Sequence, residues 1–83
     1  MAVRVRLFAA LRDAAGTAEE FVEAAPLTVL LESLCERHGP IFRQRLAVSS
    51  VLIDGSATPH HAAVDVRDGA EVALLPPVSG GAA

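Results

Sequence analysis

The sequence is poor in several residue types, and each shortage excludes a class of protein. A single cysteine is too few for an internal disulfide, a cysteine-held iron–sulfur cluster or a cysteine-rich zinc site, so a reducing, cytoplasmic location is expected. Tryptophan and tyrosine are absent and phenylalanine occurs three times, so the core must consist mainly of alanine, valine and leucine. No apolar run approaches the ~20 residues that span a bilayer, and neither a signal peptide nor a membrane anchor is expected.

Lysine is absent as well. All seven basic residues are arginines, and ten acidic residues leave a net charge of -3. Because this is the wrong sign for a basic stripe that holds phosphate backbones, nucleic acid is not expected as a partner. The sequence also lacks a Ser/His/acid spacing, a glycine-rich phosphate loop and a histidine-rich metal motif. We therefore expect no autonomous catalytic site and no metal site.

The 83 residues are enough for one small domain, and their pattern predicts four strands. These are residues 3–8, 19–23, 51–53 and 71–75. Apolar and arginine side chains alternate along residues 3–7 of the first strand, so that Val3, Val5 and Leu7 share one face. The last strand stops at Pro76-Pro77, because proline cannot donate to a ladder. We expect the domain to comprise residues 1–75, with residues 76–83 as a flexible tail.

One main helix is predicted, from Thr28 as its N-cap to Gly39-Pro40. Its apolar face carries Leu27, Leu30, Leu31, Leu34 and Cys35. Residues 9–15 form one or two helical turns, residues 41–46 an amphipathic connector, and residues 56–64 an irregular segment. So little helix favours an α+β fold of the β-grasp (ubiquitin-like) type, in which a mixed sheet wraps around one main helix. The sheet would bury its inward residues against that helix, namely Val3, Val5, Leu7, Val72 and Leu74 against Leu30, Leu31 and Leu34.

The remaining candidates for chemistry have structural interpretations. Cys35 lies on the apolar side of the main helix, where a free cysteine behaves as a small hydrophobic residue. His38, His60 and His61 have no acidic or cysteine partner at ligand spacing, and we expect them to be solvated loop residues.

Strand alternation also predicts a surface beside the C-terminal segment. If Val72 and Leu74 face the helix, then Leu75 faces outward, and Phe8 does so on the first strand. In this fold the first and last strands are neighbours. Phe8 and Leu75 would form an exposed apolar patch with Arg4 and Arg6 at its rim, as a docking surface requires.

The segment that follows has the properties of an arm that reaches into another protein. Residues 76–81 read Pro-Pro-Val-Ser-Gly-Gly and extend over roughly 20 Å. The two glycines leave both faces of the last carbonyl open to a nucleophile. Pro76 and Pro77 stiffen the exit from the sheet, which reduces the entropy lost on docking.

These motifs resemble a known family. With Leu-Phe-Ala-Ala-Leu-Arg at residues 7–12, Asp-Gly-Ala-Glu-Val at residues 68–72 and the Pro-Pro-Val-Ser-Gly-Gly ending, the sequence resembles the MoaD/ThiS sulfur carriers, which are ubiquitin-like β-grasp proteins. The ending is more similar to the small subunits of molybdopterin synthase than to thiamine-pathway carriers. The resemblance implies that Gly81, preceded by Gly80, is adenylated and converted to a thiocarboxylate.

The resemblance also implies partners. An adenylating enzyme of the MoeB/ThiF type would use ATP and Mg, a sulfurtransferase would supply sulfur, and a large subunit of the MoaE type or another acceptor enzyme would receive it. The chain itself would bind no cofactor. The residues expected to contact these partners are Arg4, Arg6, Phe8, Leu75, Pro76, Pro77 and Val78.

One departure from the family pattern leaves alternatives open. Ala82 and Ala83 follow Gly81, whereas these carriers normally end at the second glycine. A peptidase that trims the two alanines would expose Gly81; a cloning remnant or tolerated variation is the alternative. For the chain as a whole, the alternatives are a sulfur carrier for thiamine, cysteine or secondary-metabolite synthesis, a β-grasp interaction module with an inert tail, and a protein modifier joined through Gly81 to lysines elsewhere.

Overall fold

The computed structural model describes residues 2–77, and short helices are interspersed among its strands. In chain order the elements are β1 (Val3–Leu7), α1 (Ala9–Ala15), β2 (Glu19–Val22), β3 (Ala25–Pro26), α2 (Leu27–His38), α3 (Pro40–Ala47), β4 (Ser50–Ile53), β5 (Ser56–Thr58), β6 (Asp65–Val66) and β7 (Glu71–Leu75). No helix within this part of the chain is long and apolar enough to cross a bilayer.

Five strands form one mixed sheet in the order β2-β1-β7-β4-β5. The first and last strands, β1 and β7, lie side by side and run parallel, whereas the other neighbours in the sheet are antiparallel. β3 and β6 form a separate antiparallel pair. A mixed sheet with its longest helix packed on one face confirms the predicted α+β, β-grasp architecture.

The core lies between that sheet and α2, as the alternation in the sequence predicts. The inward residues of β1 and β7 are each at most 2% exposed: Val3, Val5, Leu7, Val72 and Leu74. They belong to one cluster with the predicted face of α2, all of it buried: Leu27, Leu30, Leu31, Leu34 and Cys35. Because each buried valine or leucine contributes about 1.5–3 kcal/mol, this cluster supplies most of the hydrophobic stabilisation of the domain.

The segment predicted as a connector is instead a third helix, α3. Phe42 and Leu46 stand four residues apart and are both buried, so they pack the helix against the core. Arg43 remains outside and donates to both carboxylate oxygens of Glu32 on α2, at 2.8 and 2.5 Å. Its guanidinium lowers the pKa of the Glu32 carboxyl. The expectation of one helix with a connector missed this i, i+4 pair.

Two smaller expectations are also corrected. Thr28 is not the N-cap of α2; the helix begins at Leu27 with Pro26 in the capping position and no side-chain cap bond. Residues 56–64 are not wholly irregular, because β5 pairs with β4 across a tight hairpin. The turn consists of Asp54 and Gly55, both with positive φ (49° and 85°), which is the backbone that matches the twist of two antiparallel strands.

Candidate functional site

The parallel register of β1 and β7 brings Phe8 and Leu75 together at one end of the sheet. Leu7 is the partner of Leu74, and the backbone N–H of Phe8 donates to the Leu74 carbonyl at 3.3 Å. The residues that follow these two in sequence, Phe8 and Leu75, are therefore neighbours. The side chains of Phe8 and Leu75 are half-buried rather than fully exposed. This pair is the root from which the chain leaves the sheet, with Pro76 half-buried and Pro77 exposed.

The predicted basic rim, Arg4 and Arg6, is present, but nearby glutamate side chains neutralise its charge. Arg4 is paired with Glu19 of β2, and its second guanidinium nitrogen lies 3.8 Å from Glu71 of β7. Arg6 lies 3.7 Å from the same Glu71 carboxylate. Two arginines and two glutamates therefore share the outer face of the sheet, about half of each side chain remaining in solvent. Such exposed pairs orient side chains but contribute little to stability.

The sequence interpretation missed Leu52, which together with the outward-facing Ala73 extends the apolar surface beyond this pair. β4 lies on the other side of β7, with Ser50 opposite Leu75 and Leu52 opposite Ala73. Leu52 and Ala73 are half-buried, whereas the alternate residue of β4, Val51, is in the core. The alternation around Val51 was a usable signal for an outward Leu52. What the sequence did not supply was the strand order that sets β4 against β7.

The tail residues expected to carry the chemistry, Val78, Gly80 and Gly81, lie outside the described residues. Their roles stay predictions, as does the domain boundary at residue 75. What the structure provides is the place where the tail begins. Pro76 and Pro77 directly follow the last ladder residue of β7, at the edge of the half-buried apolar surface.

The histidines are less solvated than expected, whereas the cysteine is where the sequence predicts it. His38 Nε2 lies 2.6 Å from a carboxylate oxygen of Glu20, and its ring lies 4.9 Å from that of Phe42. His60 Nε2 lies 2.7 Å from the Ser49 carbonyl oxygen. Both are partly buried and bonded, so the prediction of solvated loop residues is wrong for them. Within residues 2–77, no three His, Cys, Asp or Glu side chains form a metal-binding group.

Cys35 is buried in the core cluster, as predicted. Burial raises the pKa of its thiol, and the nearby Arg43 offsets this only in part. A buried, protonated thiol is a poor nucleophile. Across residues 2–77 the structure thus shows a half-buried apolar pair, Phe8 and Leu75, beside the two prolines that follow β7.

Comparisons with family models and with solved structures indicate the same protein family. A model of the ThiS family matches residues 5–81. Comparison with curated protein sequences gives no significant match. Among solved structures, the crystal structure of small archaeal modifier protein 1 from Haloferax volcanii is 30% identical, with a TM-score of 0.77, over 98% of this chain and 100% of that one.

Two further structures are molybdopterin-converting factors. A putative subunit 1 from Pyrococcus furiosus is 27% identical with a TM-score of 0.80, over 94% of this chain and 99% of that one. A chain from the complex of subunits 1 and 2 of Helicobacter pylori is 24% identical with a TM-score of 0.64, over 98% of this chain and 100% of that one, which supports the fold alone. The family model covers nearly all of the sequence, and the chain therefore belongs to the ThiS (ThiS/MoaD) family of small β-grasp proteins, as a sulfur carrier or a modifier of the archaeal kind.

Proposed function

We propose that the chain is a sulfur carrier that is activated at Gly81 and donates sulfur in molybdopterin synthesis. The observation that supports this best is the meeting of Phe8 and Leu75 at the root of a tail that begins with two prolines and contains Gly80 and Gly81. An apolar docking surface beside a narrow tail is what a partner needs in order to draw that tail into its own active site. The carrier contributes no acid or base.

Each step of the proposed reaction involves the terminal carboxyl group of Gly81. The Gly81 carboxylate attacks the α-phosphate of ATP on an adenylating enzyme of the MoeB/ThiF type, and pyrophosphate leaves with its Mg. Sulfide, supplied in the cell by a sulfurtransferase, then attacks the acyl carbon; a C–S bond forms and AMP leaves. The sulfur of the resulting thiocarboxylate then forms a bond to a carbon of a precursor on the acceptor enzyme, and water cleaves the acyl C–S bond, which leaves the sulfur on the precursor and regenerates the Gly81 carboxylate. Glycine at both final positions leaves the acyl carbon unhindered.

The proposed acceptor is a large subunit of the MoaE type. Support comes from the likeness to the putative subunit 1 of the molybdopterin-converting factor from Pyrococcus furiosus. The Helicobacter pylori structure is a complex of subunits 1 and 2 of such a factor. The partner residues we propose are Phe8, Leu75 and the tail from Pro76 onward, with Arg4 and Arg6 at the edge.

Activation requires a free carboxylate on Gly81, and Ala82 and Ala83 follow it in the sequence. Two further residues move the carboxylate by as much as roughly 7 Å and place Cβ atoms beside the reacting carbonyl. We therefore propose that a peptidase removes Ala82 and Ala83 before adenylation.

The experiment compares purified forms that end at Gly81 and at Ala83, each incubated with the same adenylating enzyme, ATP, Mg and sulfide. Replacement of OH by SH adds about 16 Da to the intact mass, because one oxygen becomes sulfur. The Gly81 form should convert and the Ala83 form should not. Equal conversion contradicts the trimming step alone, whereas failure of both forms, with an enzyme that converts another carrier, contradicts the sulfur-carrier proposal.

A protein modifier is the second candidate, favoured by the 30% identity to small archaeal modifier protein 1. The same activated form would then acylate lysines of other proteins. Because the chain has no lysine, it would attach as single units or through its N-terminus, not as lysine-linked chains. Adding a lysine-rich acceptor protein to the reaction distinguishes the two, since a modifier gives a covalent adduct with the mass of both proteins less water.

A further inference from the structure

The sheet ends at β2, and the outer edge of this strand is open. The N–H of Leu7 donates to the Ala18 carbonyl at 2.9 Å. In an antiparallel ladder alternate residues bond to the neighbouring strand, so the backbone groups of Glu19 and Phe21 point away from β1. The Thr17 hydroxyl donates to the Glu19 carbonyl and accepts from the Glu19 N–H. Phe21 is left with an outward N–H and C=O, which are a template for another strand.

Apolar side chains are exposed on both layers of the fold at this edge. Phe21 lies opposite Arg4, and so on the outer face of the sheet, and it is 59% exposed. Val29 is 56% exposed on α2, which packs on the inner face. With Ser33 and Arg37 it forms one ridge of the helix beside β2. A lone added strand would cover the edge but not this ridge, whereas a partner with a sheet and a helix of its own covers both.

The charges at this edge are self-complementary. Arg37 bonds to Glu20 through one guanidinium nitrogen, and the arginine side chain is 51% exposed. Glu23, the residue after β2, lies beside the same ridge and forms no ion pair within residues 2–77. An acidic and a basic side chain are therefore both available here, and a strand of one charge cannot match the two. A second copy related by a two-fold rotation supplies an arginine for the glutamate and a glutamate for the arginine.

We propose that the chain forms a two-fold dimer in which the β2 strands of two copies pair antiparallel and join the two sheets. The register follows from the free backbone groups. With Val22 at the two-fold axis, Phe21 of each copy pairs with Glu23 of the other, and each pair makes two main-chain hydrogen bonds. A register centred on Phe21 would instead set Glu19 opposite Glu23, where Thr17 already occupies one backbone and the two carboxylates repel.

The same rotation brings the two α2 helices together on the inner side of the joined sheet. They run antiparallel, and their ridges meet beside the axis, where the small Ser33 allows a close approach. Val29 is thereby covered in both copies. Glu23 of each copy faces Arg37 of the other, so the dimer contains two such ion pairs. On the outer face the two Phe21 rings lie diagonally across the new strand pair.

The dimer leaves both tails accessible. Val3 is the partner of Val22 at the axis, and Phe8 lies five residues further along β1. This distance is roughly 16 Å at about 3.3 Å per residue. Because the axis is perpendicular to the sheet, the two Phe8 and Leu75 pairs lie on one face of the joined sheet and at opposite ends of it. One dimer thus presents two tails to separate partner molecules, and the proposal does not depend on which reaction the tail undergoes.

Sedimentation velocity of the full chain, from about 1 µM to about 1 mM, tests the association. We expect a reversible monomer–dimer equilibrium with a Kd on the order of 10–100 µM, since the contact is small. F21R and V29R should each raise the Kd at least about tenfold, because each places a charge beside the axis. V48R is the matched control, since Val48 is 62% exposed beside the start of β4, on the far side of β1 and β7 from β2. Its Kd should stay within about twofold of the wild-type value.

Charge reversal tests the contacts across the axis. E23R sets two arginines against each other and R37E sets two glutamates, so each variant alone should dimerise at least about fivefold more weakly. An equimolar mixture of E23R and R37E should recover most of the lost affinity, because the mixed dimer contains two pairs of opposite charge. A mixture that associates no better than its components contradicts the proposed arrangement.

Amide hydrogen exchange tests the register. On dimerisation the N–H groups of Phe21 and Glu23 should both become protected, because both donate across the new strand pair. Protection centred on Leu75, or protection of Phe21 without Glu23, contradicts the proposed pairing. A dimer that F21R and V29R leave intact also overturns the proposal. So does a chain that stays monomeric up to about 1 mM, which would leave this edge to a strand of a different protein.

Discussion

Arg6 extends over the ring of Phe8, with its guanidinium carbon 5.5 Å from the ring centroid. The Glu71 carboxylate lies 3.7 Å from the same guanidinium, so the arginine is held between an acid of β7 and the aromatic ring. A cation–π contact at an exposed site is worth about 0.5–1 kcal/mol. Together with the ion pair, this contact favours an orientation of Phe8 beside Leu75. The proposed docking surface would then lose less conformational entropy when a partner binds.

The first prediction concerns Leu75. L75E should lower the affinity for the adenylating enzyme by at least about tenfold, because a charge replaces an apolar anchor at the root of the tail. The side chain is half-buried, so a moderate loss of stability is expected as well. V29E is the control, since it adds the same charge at an exposed site on α2, which packs on the other face of the sheet. Calorimetric titration measures the affinity, and equal affinities of L75E and V29E contradict the assignment of this surface.

The second prediction concerns the tail. A form that ends at Pro77 should keep the melting midpoint of the full chain within a few degrees, because the core cluster contains no residue beyond Leu74 among those described. The same form should form no thiocarboxylate. Melting curves followed by circular dichroism give the comparison. A fall of about ten degrees or more would show that residues after Pro77 stabilise the fold, contrary to a tail that serves only in transfer.

Local patterns predicted most of the sheet and the main helix. The alternation in β1 and β7 and the i, i+3, i+4 spacing in α2 identified the core face correctly, since burial follows directly from these periods. α3 was missed because its buried stripe is only Phe42 and Leu46 in an eight-residue helix, and two residues are too few to establish a period. The cap at Thr28 was misplaced because Pro26, with its fixed φ, starts the helix two residues earlier.

The candidate site was predictable only where it depends on adjacent residues. The outward direction of Leu75 follows from its own strand, but the approach of Leu52 depends on β4 lying against β7. The pairing of Arg4 and Arg6 with Glu71 likewise depends on the parallel register of β1 and β7, which joins residues more than sixty positions apart. Hydrogen bonds of His38 and His60 were missed for the same reason. No spacing in the sequence encodes contacts between segments whose relative placement is set by the whole fold.

The third prediction compares two phenylalanines of opposite exposure. F42A should lower the free energy of unfolding by about 3–5 kcal/mol, because Phe42 is fully buried and its removal leaves a cavity. F21A should cost about 1 kcal/mol or less, since that ring is 59% exposed. Should F42A fail to fold, F42L keeps most of the volume and should cost about 1.5 kcal/mol. Urea unfolding measures all three, and similar costs for F42A and F21A would contradict the position of α3 on the core.

The last prediction concerns the stability of the protein at alkaline pH, where the composition of the chain allows the titration of Cys35 to be followed separately. Burial raises the pKa of its thiol in the folded state, while the unfolded thiol titrates near its ordinary value of about 8.5. Between these two values the unfolded chain binds fewer protons than the folded chain, so stability is complete below about pH 8 and falls as the pH rises. Lysine and tyrosine are absent and arginine stays charged, so no other type of side chain in the sequence titrates between about pH 8 and pH 10. Urea midpoints of the wild type should therefore decline over this range while those of C35A stay nearly flat, and parallel curves for the two proteins would show that the thiol is not buried in the folded state.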